Sequence, residues 1–585
     1  MQEDNEQTLP VKARGFKDIL PKEALWREQI IAAVQSCLSA RNYLPIETPT
    51  LEVLQVMERG GKLAHMPFRL FDTDNELLAL RPDVTLPIAR MVATRMGADS
   101  LPLRLRYVQR VFREEEQLKA QAREYTQIGI ESLGHSGAKA DAELILLFDE
   151  SLAASGLSDF TIAICTVQVL ECLTRHIAKD CNKDEKWINS VLASYHKSDF
   201  VALSKLAAEM VSDNNISDNN ISDNNTPDVS LYKMALNTLP TICGGKDAID
   251  ACEELIAPII GANVLEDLRY TWDIVQAQGT KGKLKVDFSV MSTFDYYTSL
   301  VIEAYAPGVG VPLGSGGRYD RLLGTFGVNA PAAGFAFSLE NVMQAMVQAS
   351  ESRTNADIAN QATKFVKTAE KKLAPLKIAV PKGALYKESV ALLAAAGLDT
   401  NGLDNPGRQL VVRNEDTHYY IVRPTDVPVF VSYGGVDCAI CGRDSLAEAD
   451  LELMELVDLR FGACRFVVAE PREASGVVAQ KYSRLGLMRV ATKYPRITAS
   501  YYDSTGTQVE IVKMHGNIEL APLCGMAERI VDITATGTTL SENNLVVVDE
   551  VLASTARFVG NTTAVRIDSR VRELAVKLAD IVTRP

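Results

Sequence analysis

The apolar patterning of the chain changes character near residue 375, and no single core can serve both sides of that change. Upstream, helix-spaced and strand-like stretches alternate irregularly. ALWREQIIAAVQSCLSARNY carries apolar residues at helical spacing, and LPIETPTLEVL then turns extended, because Pro45 and Pro49 exclude helix. PLRLRYVQRVFREEE and REYTQIGIESLG predict two strands around a polar turn. The strands VDFSV and SLVIEAYAP follow, then a Gly-rich turn and a helix after Asp320. That order predicts an α+β domain with an antiparallel sheet. Downstream, LKIAVP, HYYIVRP, DCAICG, CRFVVAE, LMRVATK, QVEIVKM and IVDITAT are short apolar runs separated by helix-sized segments. Such spacing predicts α/β structure with mostly parallel strands buried on both faces. The block is long enough for two small lobes with a cleft between them.

At 585 residues the chain is too long for one core. Two polar segments divide it. The tandem repeat VSDNNISDNNISDNNTPD, residues 211–228, holds too little apolar surface to fold alone and is expected to be a disordered surface insertion. The segment 349–375 is polar and charged, with helix expected near its end, and ends at Pro375. The expected organisation is therefore a domain over 1–348, a linker over 349–375 and a second domain over 376–585.

With 47% apolar and 23% charged residues the composition is that of a soluble globular protein. A net charge of -14 argues against a mainly electrostatic nucleic-acid binder, while leaving room for a local basic pocket. No apolar run approaches the length of a membrane span, and MQEDNEQTLPVKARGF has no apolar signal core, so a cytoplasmic protein is expected. Cys438 and Cys441 have metal or redox spacing, yet no second pair completes a zinc set, and ordinary core residues are expected.

The sharpest chemical signal is VDITATGTTLSENNL, residues 531–545. A strand ends near Asp532–Ile533, and Thr534, Ala535, Thr536, Gly537, Thr538 and Thr539 lead into a helix. Gly537 allows close approach to an anion, successive N–H groups at a helix start hold phosphate oxygens, and the threonine hydroxyls add donors. Asp532 stands where a carboxylate can accept from ribose hydroxyls. The alternative is a Thr-rich helix cap. No Gly-Lys-Ser/Thr follows, so the loop is not a P-loop.

Taken with LKIAVPKGALYKESVALLAAAGLD, VRPTDVPVFVSYGGVD, GRDSLAE, RVATKYP and NIELAPLCGMAERIVDITATGTTL, this loop resembles the short-form ATP phosphoribosyltransferase catalytic subunit, across 376–585. The chain ends soon after RFVGNTTAVRIDSRVRELAVKLADIVTRP, which is expected to exclude the long form's further domain. The resemblance implies a two-lobed, periplasmic-binding-protein-like α/β fold. It also implies transfer of phosphoribosyl from phosphoribosyl pyrophosphate to ATP, with Mg²⁺, as the first step of histidine biosynthesis. It assigns Asp532, Glu519 and Lys382 to catalysis, with Asp532 on the ribose hydroxyls and Glu519 orienting a ribose or the metal. Residues 534–539 hold the 5′-phosphate. Lys382, Arg408, Arg423 and Lys493 are candidates for pyrophosphate and the ATP phosphates; Arg408 and Arg423 fit surface or intralobe pairs equally well. The family often has arginine where Ala384 stands, so one contact is missing or supplied elsewhere.

Upstream, ARGFKDILP, LRPDVTLPIAR, YVQRVFREEEQLKAQAREYTQIGIE, FDYYTSLVIEAY and GSGGRYDRLLGTFG resemble the class II catalytic domain of histidyl-tRNA synthetase, over residues 13 to about 345. Ser299, Asn341, Glu116 and Gln121 occupy positions that the synthetase fills with arginine. A polyphosphate site so depleted of positive groups is not expected to activate amino acids, and the anticodon-binding domain is missing. Asp83, Thr85, Arg113, Gln127, Tyr296, Tyr297, Gly316, Gly317, Arg318 and Tyr319 match histidine-binding motifs. This combination resembles the regulatory subunit of ATP phosphoribosyltransferase. It implies histidine as inhibitor, no tRNA partner, no membrane and a homo-oligomer. The competing classes are a histidine–tRNA ligase and a non-catalytic interaction protein.

Overall fold

The computed structural model describes residues 13–59, 66–114, 122–212, 228–291, 296–362, 374–474, 476–479, 482, 486, 488–534 and 537–584. Glu116, Gln121, Ala535, Thr536, most of the repeat and residues 363–373 of the linker lie outside the described residues. The chain forms two compact units, Met1–Ala369 and Glu370–Pro585. Among the described residues no helix is long and apolar enough to cross a membrane.

The first unit is built on a nine-stranded sheet. Its centre runs antiparallel through Leu103–Phe112, Glu124–Leu133, Ala332–Ser338, Gly314–Arg318, Leu300–Tyr305 and Thr161–Thr166. Alternation sets the faces: Leu105, Tyr107, Gln109 and Val111 are buried, with less buried residues between them. Pro21 opens the helix Pro21–Ala40, which buries Arg27, Ile30, Val34 and Leu38 along one stripe. The two parallel pairings lie near the sheet's ends, Leu44–Pro45 with Leu103–Phe112 and Lys283–Asp287 with Thr161–Thr166. A parallel neighbour needs a long crossover. Here it is a helical insertion that includes Phe200–Ser212 and Val229–Thr238, between which the repeat falls.

Two expectations need correction. VDFSV contributes only Val286 and Asp287 to a strand. The helix expected after Asp320 is a single 3₁₀ turn, Leu323–Phe326, ended by Gly327 in the left-handed region. The helix Leu339–Ala362 runs into the start of the linker; the helix expected nearer its end falls mostly on 363–373, outside the described residues.

The second unit contains a six-stranded and a five-stranded sheet. All seven apolar runs form strands. The sheets are mixed rather than mostly parallel, with four parallel pairings and five antiparallel ones. The difference comes from strands the apolar runs did not announce, Val411–Arg413, Met454–Asp458, Leu545–Ser554 and Ala556–Gly560, all paired antiparallel, and from Cys464–Pro471, which runs against both neighbours. The chain leaves the six-stranded sheet after Met454–Asp458 and returns to it at Ala556–Gly560. Cys438 and Cys441 are fully buried, and burial pushes both thiols well above their usual range. They are free thiols in the core.

Candidate functional site

In the five-stranded sheet the parallel strands Met488–Thr492, Val509–Lys513 and Arg529–Thr534 end together, with Thr492 in register with both Lys513 and Val531. That register sets Lys493 beside Asp532, and their side chains meet at 3.7 Å. Asp532 is 7% exposed, and its Oδ1 has no hydrogen-bond partner among the described residues. Burial raises its pKa; Lys493 opposes the rise and the neighbouring Glu519 adds to it. Glu519 is half-buried at the start of the short helix Leu520–Leu523.

Past the strand, the N–H of Gly537 donates to Thr534 Oγ1 at 2.8 Å, closing the turn before Thr538–Glu542. Gly537 has φ +79° with open space where a Cβ would lie, so glycine is required by the backbone angle and not by crowding. Thr538 and Thr539 begin the helix; Ala535 and Thr536 are outside the described residues.

The six-stranded sheet has a matching edge. Pro381 is in register with Val422, and Lys382 N donates to Val422 O at 2.8 Å, so Lys382 and Arg423 follow the ends of adjacent parallel strands. Both are exposed, and neither side chain is paired among the described residues. Arg408 is exposed in the loop before Val411–Arg413 and also lacks a partner there. The intralobe pairs considered for Arg408 and Arg423 are not formed among the described residues. Ligands of open α/β sheets bind beyond the carboxyl ends of parallel strands, and both clusters sit at such ends. Among the described residues no group of three or more His, Cys, Asp or Glu is poised to hold a metal ion.

The first unit concentrates a different chemistry on one face of its sheet. Glu131, 1% exposed, accepts from Thr85 Oγ1 at 2.8 Å and from the Tyr319 hydroxyl. Tyr319 packs against Tyr296 and Tyr297, with ring centroids 5.7 and 6.4 Å away. The Tyr297 ring lies where a Cβ on Gly317 would fall, and Gly316 is pressed against Gly334 and Phe335; both glycines are therefore demanded by packing. Asp83 Oδ1 caps the helix Thr85–Met91 by accepting from Leu86 N at 3.1 Å. Arg113 lies over the Tyr125 ring, 4.8 Å from its centroid, and donates to Pro82 O at 3.2 Å. Gln127 is 9% exposed, and its Oε1 accepts from no described residue. Burial pushes the Glu131 carboxyl well above its usual range, with Asp83 contributing, and Asp83 is raised by burial as well.

Arg318 does not join this cluster. It follows Gly317 on the strand Gly314–Arg318, so its side chain takes the face opposite to Gly317's. There its Nε donates to Asp141 Oδ1 at 2.9 Å and its Nη1 to His135 O at 3.0 Å and Asp320 Oδ1 at 3.1 Å. Its side chain is thus held in an internal ion pair away from the tyrosine cluster. Glu131, in contrast, was missed. The available signal was a lone carboxylate in IGIESL, on a strand buried at nearly every position. Of the two substituted positions described, Ser299 O accepts from Val167 N at 2.9 Å, and the Asn341 amide donates to Pro312 O at 3.0 Å.

A family model described as histidyl-tRNA synthetase matches residues 15–342, and one described as ATP phosphoribosyltransferase matches 423–581. The N-terminal part is 34% identical over 333 residues to an ATP phosphoribosyltransferase regulatory subunit of Moorella thermoacetica, covering 57% of this chain and 80% of that protein. The C-terminal part is 47% identical over 192 residues to an ATP phosphoribosyltransferase of Rubrobacter xylanophilus, covering 33% of this chain and 89% of that protein. A solved structure from Bacillus halodurans, an ATP phosphoribosyltransferase regulatory subunit/histidyl-tRNA synthetase, aligns with TM-score 0.50 and 25% identity over 70% of this chain and 98% of its own.

Proposed function

We propose, starting from a chain that belongs to the histidyl-tRNA synthetase family through its regulatory N-terminal half and to the ATP phosphoribosyltransferases of histidine biosynthesis through its C-terminal part, that each unit carries one half of a feedback circuit. The transfer site is the pair of strand-end clusters in the second unit, whose two sheets are two lobes of periplasmic-binding-protein type. The carboxylate–tyrosine cluster of the first unit is a histidine pocket. The observation that supports this most is the register pairing of Lys493 with Asp532 just ahead of the Gly537 turn.

In this reading Asp532 Oδ1 accepts from the ribose hydroxyls of phosphoribosyl pyrophosphate. Gly537, Thr538 and Thr539 hold the 5′-phosphate, with Ala535 and Thr536 proposed on sequence alone. Lys382, Arg408, Arg423 and Lys493 spread over the pyrophosphate and the ATP phosphates. A ring nitrogen of adenine attacks the anomeric carbon as the bond to pyrophosphate breaks, giving phosphoribosyl-ATP and pyrophosphate. The protein's work is to position two nucleotides and stabilise the leaving charge, since no covalent intermediate is needed. Mg²⁺ suits the site because it takes one or two carboxylates and otherwise keeps water and substrate phosphates. Glu519, half-buried and close enough to Asp532 to raise its pKa, would hold it, and the ion would neutralise pyrophosphate charge.

In the first unit, Glu131 and Asp83 face a histidine ammonium or imidazole, and the tyrosines enclose the ring. Histidine inhibits from there, tRNA is not a partner, and the protein acts in the cytoplasm as a homo-oligomer. The ligase alternative requires arginines where Ser299 and Asn341 stand, and Asn341 is occupied with Pro312 O. Ultraviolet-monitored formation of phosphoribosyl-ATP, with and without histidine, tests the proposal. Absence of product defeats the transfer reading, and histidine-dependent ATP–pyrophosphate exchange would favour the ligase.

A further inference from the structure

We propose that Glu448 is a positioning residue for the transfer reaction, reaching from the six-stranded half of the second unit to the five-stranded half and there holding Lys493 against Asp532. The inference rests on the proposed roles of Lys493 and Asp532. Glu448 lies on the helix Arg443–Ala449, directly after the strand Cys438–Gly442. Its Oε1 accepts from Arg496 N at 3.3 Å and its Oε2 from Ile497 N at 3.1 Å. These are first-turn N–H groups of the helix Pro495–Ser504, whose own capping residue, Tyr494, makes no side-chain cap. Orphan donors at a helix start need an acceptor, and a carboxylate there is also favoured by the helix dipole. Glu448 supplies it from the other half of the unit. Arg496 Nη1 pairs with Asp450 Oδ2 at 2.7 Å, so three bonds from one short segment fix one helix start.

Lys493 stands two residues before that helix. On its other side Thr492 Oγ1 donates to Val531 O at 2.8 Å and accepts from Tyr494 N at 2.9 Å. The backbone of Lys493 is thus tied at both ends, to the Asp532 strand through Thr492 and to the opposite half through Glu448. Without Glu448 one tie is lost, and the side chain has a wider range of positions than the one 3.7 Å from Asp532. The far end of the helix that carries Glu448, Arg443–Ala449, is also anchored. Ser554 Oγ donates to Asp444 Oδ1 at 3.0 Å and accepts from Asp444 N at 3.1 Å, at the point where the chain returns to the six-stranded sheet. With that end fixed by Ser554, the loss of Glu448 is felt at Lys493.

The test is a double-mutant cycle on the full chain, measuring kcat and KM for both substrates. Glu448→Ala is expected to lower kcat about tenfold, the scale of a lost helix cap, with KM changed by less than about threefold. In a Lys493→Ala background the same substitution is expected to cost nothing further, because residues acting through one another are not additive. Glu448→Gln keeps an acceptor oxygen and should restore part of the loss; it carries the cycle if the alanine variant does not fold. Additive losses would show that Glu448 merely stabilises the fold, overturning the inference while leaving the site intact. Near-wild-type activity of Lys493→Ala would instead overturn the site assignment beneath it.

Discussion

The polar groups of the two proposed sites are handled in opposite ways. In the first unit Glu131 is already bonded to Thr85 and Tyr319, Asp83 caps a helix, and Arg318 is sealed against Asp141. In the second unit Lys382, Arg408 and Arg423 are exposed and unpaired among the described residues, and one oxygen of Asp532 has no described partner. A pocket for one small amino acid benefits from groups held in place by each other, which reduces the ordering cost of binding. A site for two polyphosphates needs positive charge that the fold has not already neutralised. The contrast therefore predicts stability effects in the first unit and kinetic effects in the second.

The largest expected effect is on stability. Arg318 is 4% exposed, and replacing it by alanine leaves Asp141, 5% exposed, as an unpaired buried carboxylate. Breaking a buried pair from one side costs about 3–5 kcal/mol. Denaturant unfolding of Arg318→Ala, followed by a probe specific to the first unit, should show that loss. Replacing both partners by apolar residues should recover much of it, whereas a loss below about 1 kcal/mol would return Arg318 to the list of candidate ligands.

Asp532→Asn should act on rate instead. One hydrogen bond to a charged group in the transition state is worth about 1.5–3 kcal/mol, so turnover should fall at least about tenfold. Thermal stability should change little, because the lost charge was half-compensated by Lys493 at 3.7 Å. Near-wild-type kinetics would mean that the loop is a plain helix cap.

Tyr297→Ala should relieve histidine inhibition while sparing uninhibited turnover. Coupling between sites is usually about 1–3 kcal/mol, and by reciprocity ATP and phosphoribosyl pyrophosphate should weaken histidine binding by the factor that histidine weakens theirs. Calorimetric titration of the full chain reads both directions. A variant that stays fully histidine-sensitive would place the inhibitor elsewhere.

How far the sequence disclosed this follows from the range of the interactions. Most of the seven apolar runs of the second unit were visible because a strand buried on both faces is apolar residue by residue; Val509–Lys513, at a sheet edge with no fully buried residue, showed through its β-branched residues alone. Leu545–Ser554 was not, since it borders its sheet and exposes Val547, Val548, Asp549 and Glu550. Lys493 and Asp532 could be nominated singly, but their pairing depends on the Thr492–Val531 register, which only the folded sheet defines. Glu131 was hidden for the same reason: Thr85 and Tyr319 come from distant segments, and Gly334 makes room for the carboxylate from another strand. The face of Arg318 could have been read from the sequence, because adjacent residues on a strand, here Gly317 and Arg318, cannot share a face.

The smallest effect is expected from the repeat, the region least like either site. Deleting 212–225 leaves Thr226, Pro227 and Asp228 between Val211 and Val229, within the range of ordinary helix–helix connections. The two helices on either side, Phe200–Ser212 and Val229–Thr238, pack on each other. Asp228, which stays, caps the second helix by accepting from Leu231 N at 3.0 Å. Closing a loop costs only about 0.6 kcal/mol per doubling of its length, so shortening this one should leave Tm unchanged or slightly raised. Neither proposed site draws a residue from the insertion, so kcat, KM and histidine inhibition should match the parent chain. A fall in Tm of several degrees would show that the repeat packs against the helices it joins, and altered inhibition at constant Tm would tie it to communication between the two units.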